Sequence, residues 1–145
     1  MKQRFRMGAV AGAVAVFAAA CAVVPSYQQS ISTFEGFPVI SYVPPNPTGI
    51  VFVFHGTNGS AAIATKLETV DMLNHLVARG YGFLSTDSTD RTAKQWDNVS
   101  LSLTANPDLA RLSRLHASLV AAGRITDETP IYAIGMSQGA GFASV

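Results

Sequence analysis

The 145-residue sequence predicts an α/β domain with a mostly parallel sheet and flanking helices, and three observations carry this prediction. Short, continuously apolar runs typical of strands covered on both faces alternate with longer stretches whose apolar residues recur every three or four positions. The order strand, helix, strand, helix, strand, helix favours crossovers between parallel strands. Hydrophobic residues make up 48% of the chain and charged residues 13%, as in a folded domain.

The first 21 residues predict a secretion signal that lies outside the fold. Lys2, Arg4 and Arg6 form a basic start, and residues 7–20 follow as an uncharged stretch rich in Ala and Val. This stretch is shorter than the roughly 20 apolar residues that a membrane span requires. A positive flank, a short apolar segment and small residues at its end are typical of a secretory signal.

Cys21 is the only cysteine, so no disulfide can form within the chain. It follows Phe17-Ala18-Ala19-Ala20, which resembles the lipobox of bacterial lipoproteins, where the cysteine is lipidated and becomes the new N-terminus. Ala18 stands where that motif more often has Leu. Ordinary cleavage near Ala20 or Ala22 and an uncleaved anchor are the alternatives. Lipidation and ordinary cleavage both place the domain outside the cytoplasm of a bacterium.

Residues 22–36 are expected to form a tether, and residues 37–145 the domain. Phe37 to Val43 has strand character and is followed by a proline-rich segment that cannot continue a strand interior. Ile50 to Phe54 is continuously β-branched or aromatic, which predicts a buried strand. The turn formers that come next predict a loop over residues 55–60.

Ala61 to Arg79 is predicted to be one amphipathic helix, with Ser60 as its cap and Gly80 as its left-handed end. Its apolar stripe consists of Ile63, Leu67, Val70, Leu73, Leu76 and Val77. Tyr81 to Ser85 follows as a second buried strand, which ends at Thr86-Asp87.

The remaining elements lead to a serine. Residues 88–105 lack a clear period and predict a loop, whereas Asn106-Pro107-Asp108 is a helix start with a cap, a proline and an acid. Gly123 is placed to end that helix. Residues 130–134 predict a third apolar strand, and residues 138–145 the first turns of another helix.

Between that strand and helix lies Gly135-Met136-Ser137-Gln138-Gly139, a G-x-S-x-G pattern. The pattern is weak alone and becomes specific between a buried strand and a helix, where it forms a nucleophile elbow. The glycines leave room around a strained turn that lifts the serine hydroxyl above the sheet. We therefore expect Ser137 to be a nucleophile, with the Gln138 amide stabilising developing negative charge.

A second oxyanion donor is expected from the loop after the first buried strand, where His55-Gly56-Thr57 stands. Thr57 is the first choice for this backbone donor and Asn58 the second. His55 is predicted to shape the loop rather than act as a base. His75 and His116 lie in predicted helices and are interpreted as packed or surface residues.

Three carboxylates follow the second buried strand and are interpreted as loop-capping or solvated groups: Asp87, Asp90 and Asp97. Asp87 is the most interesting, because active-site groups collect at the carboxyl ends of parallel strands. Trp96 is expected either to line a substrate cleft or to cover the core. No spacing suggests a metal site or a cofactor cradle, and a net charge of +1 gives no reason to expect nucleic acid as a partner.

These residues together resemble the α/β-hydrolase superfamily, and within it secreted esterases related to polyhydroxybutyrate depolymerases and prolyl-oligopeptidase-like hydrolases. The likeness covers roughly residues 37–145 and is closest from Ile125 to Gly141. It implies a serine hydrolase that cleaves a small or polymeric ester through an acyl-enzyme.

The sequence departs from that family's order of serine, acid and histidine, since no histidine follows Ser137. We therefore expect this chain to be the N-terminal portion of a longer hydrolase. The catalytic acid and histidine are absent from this portion. A genuine short protein is the alternative. In functional terms that alternative is a non-catalytic envelope lipoprotein that keeps part of the hydrolase fold as a binding module.

Overall fold

The computed structural model describes residues 23–145, and its centre is strand β3, Ile50–Phe54. All five residues of β3 are buried, as their uninterrupted apolar run predicts. Strands β4 (Gly82–Thr86) and β5 (Ile131–Gly135) pair with β3 in parallel on its two sides. The three strands predicted as a parallel unit therefore form one.

Two further strands extend the sheet beyond β4 in the order β1-β2-β4-β3-β5. Strand β2 (Phe37–Tyr42) pairs antiparallel with β4, and β1 (Ser30–Phe34) pairs antiparallel with β2. The sheet is thus mixed, with a parallel unit of three strands and an antiparallel hairpin at one edge.

Strand β1 corrects the expectation that residues 22–36 form only a tether. Its side chains are mostly exposed, so the sequence shows no apolar face there. The strand is held instead by its backbone pairing with β2, across a tight turn at Glu35 and Gly36 in which both residues have positive φ. A two-residue turn of this kind matches the twist of the strands it joins.

The predicted helix from Ala61 to Arg79 is in fact two elements. A 3₁₀ helix spans Ala61–Thr65, Lys66 is extended, and α1 spans Leu67–Val77. The start of the 3₁₀ helix is held at β4, because Asp87 accepts a hydrogen bond from the Ala61 amide at 2.6 Å. The apolar spacing continues across Lys66, which explains why periodicity alone did not show the break.

Helix α2 (Pro107–Ala121) begins as predicted, with the Asn106 side chain accepting from the Leu109 amide at 3.0 Å. Gly123 beyond its end has a φ of +64°, in the left-handed region expected of a terminating glycine. The short helix α3, Gln138–Phe142, follows β5. The segment between β4 and α2 contains turns but no helix or strand, as the sequence suggests.

Alternate residues of β3 face two separate apolar clusters, one on each side of the sheet. Ile50, Phe52 and Phe54 pack with residues of α2 and α3, whereas Val51 and Val53 pack with the 3₁₀ helix and α1. Helices therefore cover both faces of β3, whereas β5 at the edge of the sheet is mostly exposed. The carboxyl ends of β3 and β5 lie side by side. Within residues 23–145, no helix has the length and apolar character needed to cross a bilayer.

Candidate active site

Ser137 occupies the turn between β5 and α3 with φ 54° and ψ −120°, a strained backbone for any residue but glycine. The two flanking glycines are required sterically. A Cβ on Gly135 would overlap the backbone of Gly139 and lie 2.6 Å from the Ala140 nitrogen. A Cβ on Gly139 would overlap the His55 carbonyl oxygen. The local geometry is that of a nucleophile elbow.

The loop after β3 lies directly against this elbow. The Met136 amide donates to the Phe54 carbonyl oxygen at 3.1 Å. A Cβ built on Gly56 would lie 3.3 Å from the Cβ of Ser137, so no larger residue fits there without displacement. Thr57 is exposed beside Gly56. The structure thus brings together the two segments in which the sequence predicts oxyanion donors.

Some backbone amides of these two segments already have acceptors. Asn58 donates to the Ala93 carbonyl oxygen, Gly59 to that of Gly56, and Gly139 to that of Met136. Within residues 23–145, the Thr57 and Gln138 amides donate to no other group. The donor first chosen from the sequence is therefore free, whereas the second choice, Asn58, is engaged.

A shallow cleft of about 350 Å³ opens beside the elbow. Loop residues 55–60 form one wall, and the other lining residues are Ala62, Ile63, Lys66 and Met136. This volume is at the lower end of the range for small-molecule sites.

No protein-family model matches the chain, and no curated protein sequence matches it. Similar solved structures include a soluble variant of monoglyceride lipase from Saccharomyces cerevisiae, with 19% identity over 79% of this chain and 36% of that chain (TM-score 0.44). A Thermus thermophilus protein has 18% identity over 81% and 49% (TM-score 0.48). Est1E from Butyrivibrio proteoclasticus, solved with ferulic acid, has 20% identity over 76% and 43% (TM-score 0.42).

This chain therefore spans between about a third and a half of the length of these structures. Its own topology has a parallel unit, helices on both faces and a serine elbow beside the loop that follows β3. The described residues form part of an α/β-hydrolase fold.

In this hydrolase fold His55 shapes the loop, as predicted. Its ring is buried, and its Nε2 accepts from the Ser88 amide at 3.2 Å. That bond requires the proton to be on Nδ1, which donates to the Gly56 carbonyl oxygen at 2.7 Å. Both ring nitrogens are engaged, so His55 is not available as a base for Ser137.

The other two histidines lie elsewhere. His75 is exposed in the last turn of α1. His116 on α2 lines an apolar groove with Phe52 and Ile131, and Ser137 is not part of that groove. The described residues therefore contain the elbow and the unbonded Thr57 and Gln138 amides, but no histidine with a free nitrogen facing the serine.

The three singled-out carboxylates cap loops, as interpreted from the sequence. Asp87 caps the 3₁₀ helix, Asp90 accepts from the Thr92 and Ala93 amides, and Asp97 accepts from the Val99 amide. Within residues 23–145, no cluster of three or more His, Cys, Asp or Glu side chains could hold a metal ion. Cys21 lies outside the described residues.

Sequence reasoning missed the structural importance of Asp108 and Arg111, two fully buried charged residues in the first turns of α2. Asp108 accepts from the Thr89 amide at 2.7 Å and from the Asp97 amide at 2.9 Å. Arg111 donates to the Thr86 hydroxyl at 3.0 Å and to the Asp87 carbonyl oxygen. A charged pair with i,i+3 spacing after the Asn cap was the available signal.

Burial lowers the pKa of Arg111 from its ordinary value, and the nearby Asp108 carboxylate opposes that shift. The Arg111 guanidinium also lies 4.2 Å from the centroid of the Phe37 ring, and that of Arg91 lies 4.1 Å from it. Favourable interaction with the aromatic face partly replaces the lost hydration. These charges hold the loop after β4 in place.

Of the two alternatives for Trp96, the structure selects the core. Its side chain is only 3% exposed and contacts the rings of Phe54 and Phe142, each with a centroid separation of 4.8 Å. Trp96 is therefore not a wall of the cleft beside the elbow.

Proposed function

We propose that this chain carries the nucleophile of a serine hydrolase that cleaves carboxylic esters through an acyl-enzyme on Ser137. The observation that carries the proposal is the strained backbone of Ser137 between two glycines that tolerate no side chain. Strain of this kind costs about 1–3 kcal/mol and persists mainly where it serves function. The free Thr57 and Gln138 amides support their assignment as oxyanion donors.

In the proposed reaction the Ser137 hydroxyl oxygen attacks the ester carbonyl carbon, and a base takes the hydroxyl proton. The carbonyl oxygen becomes negatively charged and accepts hydrogen bonds from the Thr57 and Gln138 amides. Collapse of this intermediate breaks the bond to the alcohol, which leaves with the proton, and water then hydrolyses the acyl-enzyme. Since all three histidines are placed elsewhere, the base is proposed to come from outside these residues.

Chemical rescue tests this proposal on the chain itself. Imidazole added to the solution can replace a missing histidine, and a general base contributes about 10²- to 10⁴-fold to such reactions. A fluorophosphonate probe is expected to label Ser137 faster as imidazole is added, and peptide mass spectrometry identifies the labelled residue. The stable phosphonyl adduct makes the rate directly measurable.

Two substitutions are the controls. Ser137→Ala should abolish the imidazole-dependent labelling, whereas Ser144→Ala should not change it, because the Ser144 hydroxyl bonds to the Gly141 carbonyl oxygen at the far end of α3. Labelling of Ser137 no faster than of Ser144, in a folded chain with imidazole, contradicts the proposal. Ser137-dependent consumption of p-nitrophenyl acetate in preference to the matching anilide tests the ester assignment.

Among the described residues no histidine with a free nitrogen faces Ser137, and this favours a second candidate function, a non-catalytic binding module. A cooperatively folding chain that shows no rescue would support this candidate.

In either case we propose that the domain works outside the cytoplasm, attached to a membrane through lipid on Cys21. Mass spectrometry of the mature N-terminus tests this, since Cys21→Ser should remove the lipid and release the protein from membranes.

A further inference from the structure

Trp96 makes hydrogen bonds to both segments that carry the proposed oxyanion donors. Its indole nitrogen donates to the His55 carbonyl oxygen at 2.9 Å. Its backbone amide donates to the Oε1 of Gln138 at 2.9 Å, and the Nε2 of Gln138 donates to the Trp96 carbonyl oxygen. The Gln138 side chain therefore pairs with both backbone polar groups of a single residue.

Packing reinforces these hydrogen bonds. The Trp96 ring stacks on Phe142 with an interplanar angle of 16° and also contacts Phe54. Phe54 is the last residue of β3, directly before the loop, and Phe142 is the last residue of α3. The neighbouring Asn98 adds a hydrogen bond from its Nδ2 to the Gln138 carbonyl oxygen at 3.2 Å.

The two proposed donor amides are themselves unbonded. Thr57 is exposed, and neither its amide nor that of Gln138 is bonded to another described group. Oxyanion donors act only when they lie about 2.7–3.1 Å from the developing charge. A misplacement of about 1 Å can lower the rate roughly 10²-fold. Their relative position therefore depends on neighbouring residues that connect the two segments.

We infer that Trp96, together with the Gln138 side chain, is a positioning residue pair that sets the distance between the Thr57 and Gln138 amides. The inference rests on the proposed function. Trp96 is buried and does not reach the cleft, so it acts through the loop and the elbow rather than on the substrate.

Two variants test this inference. Trp96→Phe keeps a buried ring but removes the donor to the His55 carbonyl oxygen. Gln138→Met keeps the length of the side chain and the backbone amide but removes both bonds to Trp96. Each is expected to lower the imidazole-dependent labelling of Ser137 by roughly 10- to 100-fold.

The matched control is Ser85→Ala, which removes another buried hydrogen bond to β3, from the Ser85 hydroxyl to the Val53 carbonyl oxygen at 3.0 Å. Its labelling rate should stay within about 3-fold of that of wild type, although its melting temperature falls by an amount similar to that in Trp96→Phe and Gln138→Met. An equal fall in rate in Ser85→Ala would mean that lost stability, rather than positioning, causes the effect, and it would overturn the inference.

A second measurement does not depend on the reaction. In Gln138→Met, the amide nitrogen and proton resonances of Thr57 should shift, although the substitution lies on the other segment and changes no aromatic ring. Ser85→Ala should leave them in place. If wild type shows no labelling even with imidazole, the proposed function fails while this shift still tests the positioning role. An unmoved Thr57 resonance in a folded Gln138→Met variant would overturn the inference.

Discussion

Gly139→Ala is the substitution for which the structure predicts the sharpest effect. Gly139 has no positive φ, so alanine meets no conformational penalty of that kind. Its methyl group would nevertheless lie 2.7 Å from the Phe54 carbonyl oxygen and overlap that of His55. Both oxygens are backbone atoms at the end of β3, so no flexible side chain can yield.

The size of the effect follows from this geometry. Ordinary contact for such a methyl begins at 3.4 Å, so α3 and the loop after β3 must separate by at least about 0.7 Å. Overpacking of this kind typically costs about 1–3 kcal/mol, and we expect about 2–3 kcal/mol because only backbone can move. The same displacement should lower the labelling rate of Ser137 roughly 10- to 100-fold.

Urea unfolding measures the loss of stability, and fluorophosphonate labelling in the presence of imidazole measures the change in the labelling rate of Ser137. Gly123→Ala is the control, because a Cβ there meets nothing within 4 Å and only the φ of +64° is unfavourable. It should cost about 1 kcal/mol and leave labelling unchanged. A Gly139→Ala variant that unfolds within about 0.5 kcal/mol of wild type would refute the steric reasoning.

Three further predictions concern strain, buried charge and pH. Ser137→Gly should stabilise the fold by about 1 kcal/mol in urea unfolding, because relief of the strained backbone exceeds the entropy cost of glycine, while labelling at that position disappears. Asp108→Ala should destabilise the fold by about 3 kcal/mol in the same assay, because it removes two hydrogen bonds and the carboxylate whose charge interacts most strongly with the buried Arg111. The hydrogen bond from Arg114 lowers the pKa of Glu35, so this pair stabilises the fold above the unfolded-state pKa, and the benefit is lost as the pH falls through the lower folded-state pKa. Glu35→Gln should therefore give a shallower fall in melting temperature on the acid side.

Each of these three predictions would be contradicted by a specific result. A Ser137→Gly variant less stable than wild type would show that the turn is not strained. Asp108→Asn keeps one acceptor and should lose less than Asp108→Ala; equal losses would argue against the hydrogen-bond account. Parallel acid melting curves for wild type and Glu35→Gln would show that the exposed Glu35–Arg114 pair contributes nothing to the pH dependence.

The strands were predictable from the sequence where burial decided them. The run from Ile50 to Phe54 has no polar interruption, and a run this short, made of β-branched and aromatic residues, is typical of a strand covered on both faces. Strand β1 was not predictable in this way, because its exposed side chains carry no pattern and its pairing depends on the turn at Glu35 and Gly36. The break at Lys66 escaped prediction because the apolar spacing continues across this residue, although its backbone is extended.

The candidate site also has a part that the sequence predicts and a part that it does not. The elbow was predictable because strand, glycines and serine are consecutive in the chain. The link through Trp96 was not, since it joins three segments that are far apart in sequence. Periodicity carries no information on such contacts, so the sequence left both alternatives for Trp96 open.

The loop before α2 also has a consequence for tolerance to insertion. Asn106 closes the base of this loop by donating to the carbonyl oxygens of Asp97 and Ser100. Between Ser100 and Asn106, Leu101 is 75% exposed and takes no part in the hydrogen bonds or ring contacts of Trp96. The chain can therefore be lengthened between Ser100 and Asn106 while the elbow keeps its geometry. New segments can be inserted at this point without altering the backbone around Ser137.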